Sequence, residues 1–208
     1  MGNDGGVTDS DLSSDALGRA LRDVTEFVDA TGWGQPPMLF ALVPTSVLAR
    51  TDPDLVDEHD DSELSPIAQE QLPLSDDQQT QAEELEHVLA TTSWPTAVAG
   101  CALVQEIIVL PPQAEGDLDE AFAPLLANPA AADAAARETA RHHPEQQQAR
   151  LIVGALRDGP QLALLQLRGH DEFDGADRAG RLELLSHPDL APGLLEALAA
   201  TLDAEHEL

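Results

Sequence analysis

Residues 96–110 leave this chain few options: Pro95 stands before them, Pro111 and Pro112 close them, and both alternating faces of the run are apolar for most of its length. Side chains two apart share a face of a strand, so a run with neither face fit for water reads as a strand covered on both sides. It is the expected centre of a sheet with helices packed against it.

Residues 12–30 place Leu12, Ala16, Ala20, Leu21, Val24, Phe27 and Val28 at helical spacing and leave Arg19, Arg22, Asp23 and Glu26 outward. This predicts an amphipathic helix docked on that sheet. Gly32, Gly34, Pro36 and Pro37 end it, and residues 38–43 read as a short strand closed by Pro44. From residue 51 to 77 the chain carries Asp52, Asp54, Asp57, Glu58, Asp60, Asp61 and Glu63 with no arginine, and Pro53, Pro66 and Pro73 interrupt it. That composition predicts a mobile acidic loop at about 51–75. Ser75 with Gln78 forms a capping box for a helix carrying Ala82, Leu85, Val88 and Leu89 and ending near Thr91.

Beyond the central strand, a short helix is expected at 118–127 and an alanine-rich surface helix at 130–141. Strands at 151–156 and 161–167 flank Asp158-Gly159, a hairpin signal, and Pro160 calls for a loop longer than two residues. A further strand falls near 181–185. A last helix follows Ser186 or Asp189, with Leu190, Leu194, Leu198 and Leu202 in one row. This order predicts an α+β fold: residues 10–208 as a single domain, with a mostly antiparallel or mixed sheet of 4–5 strands and helices on its faces. Residues 1–9 read as a disordered N-terminus.

Composition narrows the chemistry. The 208 residues hold four Phe, two Trp and no Tyr, so the core must be aliphatic. All ten basic residues are arginine, facing 39 carboxylates for a formal net charge of −29. Without lysine there is no phosphate-binding loop of the GxxxxGK[ST] type, no Schiff-base nucleophile and no SxxK hydrolase. Nucleic acid and anionic lipid bind proteins largely through Lys and Arg, so neither is an expected partner. Cys101 is the only cysteine and lies in an apolar run, where a thiol behaves as a small buried hydrophobe. The first residues lack the basic and apolar stretches of a secretory signal, and no apolar segment nears the roughly 18 residues of a membrane span. A cytoplasmic protein is expected.

The sharpest polar cluster is Arg168-Gly169-His170-Asp171-Glu172-Phe173-Asp174, an imidazole among carboxylates after a strand. Arg168, His170 and Asp171 are ligand-binding candidates there, beside the plainer reading of an acidic turn; the spacing matches no metal motif. His142-His143 point about 100° apart on a helix and are poorly placed to chelate one ion. Glu106 is the fourth candidate. It stands in the central strand on the face of Val98, Gly100, Ala102 and Val104, and a buried carboxylate must be paired or protonated. It reads either as a base in a pocket or as a structural group, lying near the exposed strand end or paired with Arg157 or Arg168; the structural account is favoured.

Two blocks carry a family resemblance: Trp94-Pro95-Thr96-Ala97-Val98-Ala99-Gly100-Cys101-Ala102-Leu103-Val104 with Glu106 and Leu110-Pro111-Pro112, and Leu167-Arg168-Gly169-His170-Asp171 with Pro188-Asp189-Leu190-Ala191-Pro192-Gly193-Leu194. Together they resemble a family of uncharacterised actinobacterial proteins named for a propionibacterial hypothetical protein. The resemblance covers most of the chain from the first helix onward, apart from the acidic loop. It implies a cytoplasmic protein of a GC-rich organism, in keeping with arginine without lysine, and no established activity, cofactor or catalytic residue.

With no catalytic residue, metal motif or cofactor signature standing out, the chain reads as a non-enzymatic protein-binding or regulatory module. The alternative is an enzyme or a metal- or small-ligand-binding protein using Arg168, His170 and Asp171, with Glu106.

Overall fold

The central run forms the strand the sequence calls for, but it starts later. Val98 N–H donates to Pro95 O (2.9 Å), closing a turn, and only from Gly100 does the chain extend. The computed structural model describes residues 12–56, 61–75, 78–109, 146–168, 184–187 and 190–203. Within them lie helix α1 (Ser14–Thr31), strand β1 (Met38–Pro44), helix α2 (Thr45–Thr51), a 3-10 turn (Pro53–Leu55) and strand β2 (Leu64–Ala68). Helix α3 (Gln78–Thr91), strands β3 (Gly100–Val109), β4 (Gln147–Leu156), β5 (Gln161–Leu167) and β6 (Leu184–Ser186), and helix α4 (Pro192–Asp203) follow. The expected helices at 118–127 and 130–141 and the N-terminal residues 1–9 lie outside the described residues.

The six strands make one antiparallel sheet in the order β2-β1-β3-β4-β5-β6. The protein is a single α+β domain whose strand count exceeds the expected 4–5. The extra strand is β2, inside the stretch read as an acidic loop at 51–75, which also holds the end of α2 and the 3-10 turn. Pro66 argued against a strand there, because proline cannot donate to a ladder. The register removes the objection. Thr45 N–H donates to Glu63 O (3.1 Å) and Gln69 N–H to Leu39 O (2.9 Å), so odd-numbered residues of this strand bond inward to β1 and Pro66 takes an outward position. β2 is an edge strand, where a missing donor costs the ladder nothing.

Each face of the sheet carries its own core. On one, α1 buries Ala16, Leu17, Ala20, Leu21, Val24 and Val28 against Phe40, Leu42, Ala102, Val104, Ile152 and Leu164. Ser13 starts this helix by accepting a hydrogen bond from Ala16 N–H (3.1 Å), and Gly32 ends it by donating to Asp29 O (3.1 Å). Phe27, expected on the inner face, is 49% exposed and meets Phe40 edge-on at 5.9 Å between ring centres; Leu17 takes the inner position instead. Gly154 lets α1 approach closely, since a Cβ there would stand 2.7 Å from Leu21 Cδ2 and 3.1 Å from Leu17 Cδ1.

On the other face, α3 and α4 bury Leu85, Leu89, Leu195, Leu198 and Leu202 against Leu39, Cys101, Leu103, Leu151 and Val153. Leu190 and Leu194 pack on the margin of this cluster, which completes the leucine row expected of the last helix. The hairpin between β4 and β5 has a four-residue loop, 157–160, as Pro160 requires. Ser75 meets the following helix through Glu84, whose Oε2 accepts from the Ser75 backbone N–H (2.6 Å) and hydroxyl (2.9 Å). Among the described residues, no helix is long and apolar enough to cross a membrane.

Candidate functional site

The α1 face of the sheet changes character at one end. Side chains that continue the rows Ala102-Val104, Ile152-Gly154 and Leu162-Leu164 become Glu106 on β3, Arg150 on β4 and Gln166 on β5, three polar residues abreast. Register makes them neighbours: Glu106 faces Arg150, and Arg150 faces Gln166. The side chain of Arg150 is 0% exposed, so its charge must be met by the protein.

The end of α1 and the residues after it supply the partners. Asp29, in the last turn, accepts from Arg150 Nη1 (3.2 Å) and from Gln166 Nε2 (2.9 Å). Gln166 Oε1 accepts from Nη1 (3.2 Å), and the Gly32 carbonyl accepts from Nη2. Trp33 lays its ring over the guanidinium, 4.0 Å from ring centre to Cζ, a favourable cation–π arrangement. Glu106 Oε1 lies 3.8 Å from Arg150 Nε and accepts the N–H groups of Gly34 (2.8 Å) and Gln35 (3.2 Å).

Two of the four sequence candidates thus reach one segment. Glu106 holds Gly34 and Gln35, while the exposed Arg168 places its guanidinium 5.4 Å from the Trp33 ring centre and donates from Nη1 to Gln148 Oε1. His170 and Asp171 lie outside the described residues, as does the His142-His143 pair. Arg157 and Arg168 were the partners expected for Glu106; its ion pair is with Arg150, whose register position on β4 lies directly opposite. Arg157 instead reaches across the α4 face, where it donates to the Leu202 carbonyl at the end of α4 and to the carbonyls of Trp94 (3.4 Å), Pro95 (3.5 Å) and Val98 (3.4 Å). A cation at a helix C-terminus meets the negative end of the helix dipole.

Sequence reading missed Asp29, Trp33, Arg150 and Gln166. A signal existed for two of them: once β4 and β5 are paired around the turn at 157–160, Arg150 and Gln166 fall opposite each other, inward of an apolar face.

A second buried polar group lies under α4. Trp94 Nε1 donates to Thr201 Oγ1 (2.9 Å), and the Cys101 thiol lies 3.6 Å from both Leu198 O and Thr201 Oγ1. Burial pushes this thiol up from 9.0 to about 11, against the smaller opposing effects of the Thr201 hydrogen bond and the Arg157 charge. A thiol held neutral at ordinary pH is a poor nucleophile. Among the described residues, no group of three or more His, Cys, Asp or Glu side chains is placed to hold a metal ion.

A sequence model of the PPA1309-like protein family matches residues 17–203, from the first helix to the end of α4. The chain belongs to that family. No curated protein and no solved structure shows significant similarity to it. The family match spans both cores, the Arg150 cluster and the Cys101 group, so nearly all of the described domain falls within one family unit.

Proposed function

We propose that the protein is a non-enzymatic, cytoplasmic protein-binding module whose partner adds to the β6 edge of the sheet. The observation that carries this reading is the asymmetry of the two edges. At β2, Pro66 takes an outward position and removes a donor, which blunts the edge against another strand. At β6, no strand pairs with the outer side among the described residues, and Leu185 is 46% exposed. A strand edge offers backbone bonds, and an apolar side chain beside it offers an anchor. With a formal charge of −29, a basic partner surface is favoured over nucleic acid or an anionic membrane. The groups best suited to chemistry support the same reading: Glu106 and Arg150 are engaged with each other and with α1 and its exit, and Cys101 is buried.

A photo-crosslinking residue placed at position 185 is expected to capture a protein partner in the native cell, and the same residue at position 68 on β2 is not. Capture from position 68 alone would reject the β6 edge.

A second reading has its own observation. Glu106 and Arg168 converge on residues 33–35, which favours a small-ligand site built around Trp33.

A further inference from the structure

Trp33 stands between two glycines in a backbone conformation that L side chains rarely adopt. The φ angle is 86° at Gly32 and 87° at Gly34, and a Cβ built at either meets no atom within 4 Å. Conformation, not crowding, calls for glycine at both. The segment they bound is tied down by polar contacts: Glu106 holds the N–H groups of Gly34 and Gln35, Arg150 holds the Gly32 carbonyl, and the Trp33 ring rests on the guanidinium. Among the described residues, the apolar clusters on both faces of the sheet are built without Trp33.

Under this segment, Arg150 is engaged unevenly. Nη1 is fixed by Asp29 and Gln166, whereas Nε is buried without a hydrogen-bond partner and faces Glu106 Oε1 at 3.8 Å, beyond hydrogen-bond reach. Nε and Nη2 share one edge of the guanidinium fork, the edge that receives a carboxylate two-pronged. That edge is the one covered by Gly32 and bordered by Glu106. The carboxylate of Glu106 therefore stands between two sets of donors, the backbone N–H groups above it and the guanidinium edge beside it.

We propose that residues 32–35 form a strap that opens as a unit about Gly32 and Gly34, with Glu106 shared between its two states. Closed, Glu106 holds Gly34 and Gln35. Open, Gly32 leaves Nη2, and the Glu106 carboxylate closes on Nε and Nη2 of Arg150. The buried charge stays paired throughout, so the opening strands no ion, and a two-arrangement element of this kind can act as a switch. Its product is an uncovered Trp33 indole, a rigid amphipathic anchor of the sort that protein partners bury. The strap is independent of the β6 edge.

Native-state amide exchange in increasing, sub-denaturing urea tests it. In the wild-type protein, Gly34 and Gln35 are expected to exchange together, at least about tenfold faster than Leu103 and Ile152, through an opening that urea barely accelerates. Glu106→Ala should speed those two amides roughly tenfold or more, relative to the same core amides. Two results would overturn the strap: wild-type Gly34 and Gln35 exchanging with the rate and urea dependence of the core, or exchange at those residues unchanged by Glu106→Ala.

Discussion

Replacing Arg150 with alanine is expected to lower the unfolding free energy by about 2–5 kcal/mol, the cost of truncating a large, fully buried side chain and leaving its buried partners unmet. The guanidinium is fully buried and answers Asp29, Gln166, the Gly32 carbonyl and Glu106 at once. Its removal leaves two carboxylates without their cation, a buried amide with an unmet oxygen, and a cavity beneath Trp33. Arg150→Met should recover part of the loss by filling space without supplying donors. Asp29→Asn should cost far less, about 1 kcal/mol or below, because Asp29 is 41% exposed and water replaces much of what the pair provides. Urea midpoints at constant slope measure all three. A loss below about 1 kcal/mol for Arg150→Ala would remove the cluster as the tie between α1 and the sheet.

The second large effect is alkaline. Cys101 keeps its proton in the fold up to about pH 11, whereas an ordinary thiol of this reference value releases it near 9.0. Below pH 9.0 the thiol is protonated in both states and stability is full; above it the unfolded chain ionises first, and stability falls until the folded thiol also ionises near pH 11. A tenfold difference in proton affinity between the two states is worth about 1.4 kcal/mol, so crossing the whole window should remove roughly 3 kcal/mol. This chain isolates the effect unusually well. It has no lysine and no tyrosine, the side chains whose ordinary range overlaps that interval. Cys101→Ala should lower stability somewhat at every pH and flatten the curve between pH 9 and 11. A wild-type curve that is flat there would contradict the buried neutral thiol.

Much of the fold was legible because it rests on local pattern. The leucine row of α4, the hairpin around Asp158-Gly159 and the apolar run at β3 each announce themselves within a dozen residues. β2 was hidden because its evidence is non-local. Five residues with a proline in an acidic stretch become a strand only when β1 offers an edge and the register turns Pro66 outward. The site divides the same way. Glu106 was visible as a carboxylate out of place in an apolar strand, and its need for a cation was a physical necessity. Which arginine would answer could not be read, since the pairing of β3 with β4 joins residues 44 apart in the chain, and local spacing does not fix such a register. Asp29 and Trp33 are earlier still, brought in by the exit of α1, and no local signal connects them to β4.

If the buried polar groups serve the architecture and function lies at the sheet edge, a bound partner must depend on Leu185 and not on Glu106. Native mass spectrometry of gently purified protein from its own cells tests this most directly, comparing wild type with Leu185→Arg and Glu106→Gln. A protein-sized mass excess is expected on the wild type, surviving Glu106→Gln and lost in Leu185→Arg. An excess of small-molecule size, present on the wild type and Leu185→Arg but lost in Glu106→Gln, would contradict the edge and place the function at Trp33.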